Sequence, residues 1–229
     1  MKYEWRKQEK DVYLPKEPMI LTVPTYHFIG LSSQGDPNRP EFAHQIEALY
    51  SMAYSIRMGL KKGTIGPKTF EYTVYPLEGV WTAKTKPEGP VNKDELIYKI
   101  MIRQPEQVTE SMFQTQLMQI KEKKNNPYLD QLIFESYEEG LALQALHVGS
   151  FDTEVETFAK MKELLHQEKL MIQQTMDHFQ HREIYLTDPR KTAPEKAKTV
   201  LRWAVETIDD ESFETNSDQT VDQSLSISK

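Results

Sequence analysis

Residues 181–205 read HREIYLTDPRKTAPEKAKTVLRWAV, two β-prone segments separated by a turn-rich one. In the first, Ile184 and Leu186 alternate with Glu183 and Tyr185, as a strand with two different faces requires. In the second, Val200–Val205 is β-rich and alternating. The PRKTAPEK stretch therefore reads as a short turn before a strand rather than a helix opening at Pro194. Just upstream, Phe158, Met161, Leu164 and Leu165 share one side of a helix, and before them GLALQALHVGSFDTE opens with another strand. The C-terminal half thus reads strand, helix, strand, strand.

The N-terminal half repeats that order. An apolar stretch, MILTVPTYHFIGLSSQG, precedes a helix opened by Pro40 and ended by Gly63. Its apolar residues Phe42, Ile46, Leu49, Ala53, Ile56 and Leu60 fall in steps of four and three, one stripe facing a core. Two strands follow, TFEYTVYPLEGVWTAK and ELIYKIMIRQ, around the turn-rich TKPEGPVNKD. A linking helix near Thr109–Lys124, with Phe113, Leu117 and Ile120 as its buried edge, is broken by KEKKNNPY.

Two such units, about 18–105 and 132–206, predict one α+β domain over residues 1–206 with a tandem pseudo-symmetric repeat. The expected architecture is a curved antiparallel sheet with helices on one face and a ligand cleft on the other. Ile184 and Leu186 are then expected beneath the helices, and Glu183 and Tyr185 on the opposite, concave face.

The bulk properties narrow the function. The 229 residues carry no cysteine, so there is no disulfide and no thiolate metal site or nucleophile. Six acids against one base in residues 207–229 supply −5 of the net −7 and leave the body at −2. A nearly neutral body lacks the basic excess of a nucleic-acid binder, so no direct nucleic-acid partner is expected. The tail from 207, rich in Asp, Ser, Thr and Gln, is expected to be disordered. No apolar run is long enough to span a membrane, and the N-terminus lacks the apolar stretch of a secretory signal. A cytoplasmic protein is expected.

His178 and His181 are three apart, but no carboxylate–histidine set accompanies them, so no metal is expected. Phosphate-binding loops and the Gly-x-Ser-x-Gly elbow are missing, and no cofactor is expected. Trp203 shares a face with Leu201 and Val205 and is assigned to the core. Trp5 lies in a charged N-terminal segment that it can pin down.

HVGSFDTEVETFAKMKELL together with HREIYLTDPRKTAPEKAKTVLRWAV resembles the GyrI-like small-molecule-binding family, also called effector-binding or gyrase-inhibitor-like. The resemblance covers most of residues 18–206 and is most specific in the second unit. It implies a duplicated fold with a ligand cleft between its halves and an acidic ligand-site residue at Glu183. With the first apolar strand near Met19, the chain resembles a stand-alone member rather than one carrying a helix-turn-helix domain. Some stand-alone members hydrolyse the strained cyclopropane of flat, DNA-alkylating natural products of the yatakemycin and duocarmycin type. In that branch YPLEGVW carries a pocket tryptophan, here Trp81.

The resemblance therefore implies a cofactor-independent hydrolase whose partner is a planar hydrophobic small molecule. Glu183, its pKa raised among aromatics, would orient or deprotonate water, and Tyr185 would donate to the developing oxyanion. Trp81 would stack on the ligand, with Tyr54 of the first helix as a second contact. Two alternatives stay open: a non-catalytic module that senses or sequesters hydrophobic, often cationic drugs, and a gyrase-interacting inhibitor. Glu183 could also be a structural carboxylate paired with Arg182 or Arg202, Tyr185 a packing residue, and Trp81 part of the core. Oligomeric state is not encoded legibly.

Overall fold

The computed structural model describes residues 2–85, 92–188 and 191–208. Two helical turns, α1 (Trp5–Gln8) and α2 (Lys10–Tyr13), precede the first unit: β1 (Met19–Gln34), α3 (Pro40–Lys62), β2 (Leu77–Ala83) and β3 (Leu96–Gln104). The linking helix α4 (Glu110–Lys121) leads to the second unit. That unit comprises β4 (Ile133–Val148), α5 (Glu154–Gln167), an added strand β5 (Leu170–Gln173), β6 (His181–Tyr185) and β7 (Lys198–Thr207).

The strands pair antiparallel in the order β4-β1-β3-β2-β6-β7-β5, and β4 pairs with β7 as well. Six strands therefore close into a barrel, with β5 appended to the end of β7. Unit one contributes β1-β3-β2 and unit two β4-β7-β6. The seams between them are β1–β4 and β2–β6. The expected α+β fold with a duplicated strand–helix–strand–strand unit is present.

Local signals account for the helices. Pro40 occupies the first turn of α3, and Gly63 ends it in the left-handed region at φ 68°. Of the predicted stripe, Leu49, Ala53, Ile56 and Leu60 are buried together with Met52 in one cluster with Ile29, Leu31 and Ile100 of the sheet, while Phe42 and Ile46 are partly buried against it. Thr109 caps α4 by accepting from the Met112 amide. Under α5, Phe158, Met161 and Leu165 cover Leu143, Leu201 and Trp203, with Phe158 and Trp203 stacked at 5.2 Å. Trp203 is a core residue, as expected.

The inside of the barrel is packed and charged. Arg182 donates from Nε to Glu139 at 3.0 Å and from Nη1 to Glu78 at 2.8 Å. Arg202 donates from Nη1 to the other Glu139 oxygen at 3.0 Å and from Nε to Gln144 at 2.9 Å. All five side chains are buried. Burial alone would raise the Glu139 pKa, but the two guanidiniums outweigh it and hold the carboxyl below its usual range. Tyr13 closes the space beside this network, and Arg103 donates to its hydroxyl at 3.0 Å. The remaining void of about 10 Å³ has room for roughly one water.

Several placements differ from the sequence reading. Arg182 and Ile184 face the lumen, whereas His181, Glu183 and Tyr185 face the helical layer. This reverses the expected orientation of β6. Both faces of this strand are buried, so apolar–polar alternation does not say which face the helices cover; the lumen holds charges because it pairs them. The predicted strand over 69–84 narrows to Leu77–Ala83. Upstream of Pro76, Tyr72 makes a bridge with Tyr3 instead. Strand β4 starts earlier than Gly140, at Ile133, and β5 and the two N-terminal helical turns were not legible. Trp5 does pin its segment: it is buried, and its indole N–H donates to the Val74 carbonyl at 3.0 Å. Strand β7 runs to Thr207, while residues 209–229 of the acidic tail lie outside the described residues. Among the described residues, no helix is long and apolar enough to cross a membrane.

Candidate functional site

A cleft of about 1140 Å³ opens on the helix-covered side of the sheet. One wall is α3, through Phe42, Ile46, Tyr50 and Tyr54. Opposite lie Phe151, just before α5, and the end of β6 from Tyr185 to Thr187. Trp5, Arg6 and the segment Thr73–Leu77 complete the enclosure. The cleft therefore sits over the β2–β6 seam, where the two units meet. It forms on this side because the other side of the sheet has closed on its own packed lumen.

Of the predicted residues on β6, Tyr185 is the one that lines the cleft. The last residue of β6, it stands in a T-shaped contact with Phe151 at 6.3 Å. Its hydroxyl accepts from the Trp81 indole N–H at 3.1 Å and is hydrogen-bonded to Glu183. Burial first, then the neighbouring Glu183 charge, holds the phenol pKa well above 10. It stays a protonated phenol across the physiological range.

Glu183 has no solvent exposure and is not on the cleft wall. It sits behind Tyr185, with one carboxylate oxygen 2.9 Å from His181 Nε2. His181 in turn packs edge-on against Phe158 of α5 at 5.7 Å. Strand alternation explains the grouping: His181, Glu183 and Tyr185 are every second residue of β6 and share its outer face. Direct contact between Glu183 and a cleft-bound ligand is absent from this arrangement, because Tyr185 intervenes.

Trp81 is also fully buried, in contact with Tyr98 at 4.9 Å and Phe42 at 6.1 Å between ring centres. It supports the cleft floor from below rather than offering a free face for stacking. Tyr54 does line the cleft, at its rim and 52% exposed, beside Tyr50 at 6.3 Å. The structure thus brings Glu183, Tyr185 and Trp81 into one hydrogen-bonded chain and leaves Tyr54 apart from it.

Three contributors were missed. Gly79 lies opposite Glu183 in the β2–β6 ladder, and a Cβ there would sit 2.6 Å from Trp81 Nε1 and 3.2 Å from the Tyr185 hydroxyl. Glycine is the residue that leaves space for the Trp81–Tyr185 bond. The signal was present, since Gly79 stands within YPLEGVW. His181 was weighed only as a metal ligand. Among the described residues no cluster of His, Asp and Glu is suited to a metal. Phe151 carried no sequence signal of its own.

A duplicated barrel with an aromatic-walled cleft at its internal seam defines a small-molecule-binding protein. The chain belongs to the GyrI-like family: the model of the GyrI-like small molecule binding domain matches residues 16–206. Similar solved structures come from Listeria innocua. One, named a hydrolase, shares 31% identity with a TM-score of 0.78 over 89% of this chain and 100% of that one. Another, named an uncharacterized conserved protein, shares 33% identity with a TM-score of 0.80 over 89% and 100%. A third, also named a hydrolase, shares 31% identity with a TM-score of 0.79 over 90% and 100%. No curated protein matches the chain.

Proposed function

We propose that the chain is a cofactor-independent hydrolase that adds water across the cyclopropane of flat, hydrophobic DNA alkylators of the yatakemycin and duocarmycin type, disarming them. The observation that carries this reading is the hydrogen-bonded chain His181–Glu183–Tyr185–Trp81, whose one partly exposed member faces an aromatic cleft. The likeness to Listeria innocua proteins named hydrolases supports it.

The chemistry follows from the valence of the Tyr185 oxygen. It has one proton and two lone pairs. One lone pair accepts from Trp81 Nε1. With the proton directed to Glu183, the other lone pair is left to accept from a water in the cleft. As that water attacks the ring methylene, its proton passes to Tyr185 while the Tyr185 proton passes to Glu183. The new C–O bond forms, the strained C–C bond breaks, and its electron pair moves through the dienone to its oxygen. The resulting phenolate takes a proton back, so the product is heavier by one water. Tyr185 is then the catalytic residue, and Glu183 acts through it, held by His181. This replaces the simpler assignment of Glu183 as a base touching water directly, which its burial does not allow.

The test is mass spectrometry of a spirocyclopropane compound incubated with the protein. Turnover to a product heavier by water is expected from the wild type, with a loss of about a hundredfold or more in Tyr185→Phe and Glu183→Gln. Wild-type turnover in both variants removes the relay. The burial of Glu183 also favours a second reading, a capture module without chemistry. Tight stoichiometric binding with unchanged ligand mass would establish that instead.

A further inference from the structure

The cations on the cleft wall are not equivalent. Arg39 faces Asp94 at 2.6 Å, Lys124 faces Glu47 at 3.9 Å, and Lys191 faces Asp188 at 3.9 Å. Among the described residues Arg6 has no carboxylate partner. Its Nη2 donates to the backbone carbonyl of Leu186 at 2.7 Å, and its guanidinium lies 4.4 Å from the Trp5 ring centre. Trp5 is itself fixed by burial and by its bond to Val74. The guanidinium is thus anchored at two points on the cleft wall, one residue beyond Tyr185, with further N–H donors to offer. Partial burial lowers its pKa with no anion opposing that effect, so its charge is uncompensated. Glu183 is meanwhile shut behind Tyr185, and the two carboxylates on the cleft wall, Glu47 and Asp188, each face a lysine.

We infer that Arg6 is a specificity-determining residue of the cleft, selecting flat hydrophobic ligands that carry an anionic oxygen over matched cationic ones. This rests on the small-molecule cleft described above and not on ring opening. Arg6 lies outside the matched domain, residues 16–206, so the selection is made by the N-terminal segment and not by the duplicated barrel. A pre-oriented guanidinium meeting a carboxylate forms charge-assisted hydrogen bonds, stronger than the neutral bonds available elsewhere on the wall. The same guanidinium repels an ammonium group brought to that position.

Three probes with one ring system test it: 1-pyrenecarboxylate, 1-pyrenemethanol and 1-pyrenemethylammonium, with affinities measured by calorimetry on the full chain. The wild type is expected to prefer the carboxylate over the ammonium by about tenfold or more. Arg6→Gln should abolish that preference while leaving pyrenemethanol affinity within about twofold, and Arg6→Lys should retain part of it. Unchanged pyrenemethanol binding shows that the cleft is intact in the variant. Equal affinities in the wild type, an ammonium preference, or a carboxylate preference that survives Arg6→Gln would overturn the inference. So would a wild type that fails to bind the carboxylate. Selection without ring opening would leave this inference standing and the hydrolase reading overturned; ring opening without selection would do the reverse.

Discussion

The two faces of β6 hold buried polar groups in opposite ways. Inward, Arg182 meets Glu139 and Glu78, and with Arg202 these form a network of two acids and two bases that leaves almost no void. Outward, Glu183 meets His181 and Tyr185, and the chain of bonds ends at a large cleft. The inner network is electrically matched and sealed, as structural buried charges must be. The outer one is sealed at Glu183 and open at Tyr185, so a proton has a route to the cleft. A buried carboxylate alone does not mark a site; what sets the proposed one apart is that the hydrogen-bonded partner of its carboxylate faces a cavity.

The inner face should dominate stability. Arg182→Met leaves Glu78 and Glu139 short of a buried partner, and unfolding in urea is expected to show a loss of about 3–5 kcal/mol. A loss below about 1 kcal/mol would mean that the lumen charges are not coupled as the distances indicate. Acid should act on the same network. The folded-state pKa of Glu139 is depressed, so its contribution is present above the unfolded value of roughly 4.3 and is lost as pH falls through the folded one. Melting temperature should drop below about pH 4 in the wild type and less steeply in Glu139→Gln, which starts from a lower value at neutral pH.

The outer face should dominate function. Tyr185→Phe removes one hydroxyl and is expected to lower turnover about a hundredfold, with a stability cost of about 1–3 kcal/mol from the partners left behind. An equal fall in turnover from Arg182→Met at full folding would erase the division between the faces. Gly79→Ala places a methyl against Trp81 Nε1 and the Tyr185 hydroxyl, at an expected cost of about 1–3 kcal/mol. Its turnover should fall with the lost Trp81–Tyr185 bond, and the tryptophan fluorescence maximum should move. The smallest effect is expected at the rim: Tyr54→Ala should change KM by less than about threefold, because half of that side chain is already in solvent.

Much of the architecture was legible because local chemistry wrote it. Pro40 and Gly63 bound α3, Thr109 starts α4, and the Asn-Asn-Pro after α4 interrupts the chain. The repeated order of periodicities gave the duplication, and the grouping of Glu183 with Tyr185 followed from a spacing of two. The orientation of β6 was not legible. In the sequence Arg182 is no more than a candidate partner for its neighbour Glu183 until Glu78 and Glu139, 104 and 43 positions away, are brought to it. Trp81 reads as a stacking platform until Tyr98 and Phe42 cover it.

By itself, then, the sequence determined the elements, their duplication and the residues that share a strand face, because caps, turns and side-chain alternation act over a few positions of chain. Only the tertiary structure decided which face became lumen and which became cleft. That choice rests on barrel closure through the β4–β7 pairing and on long-range ion pairs. Those energies do not exist until distant segments meet.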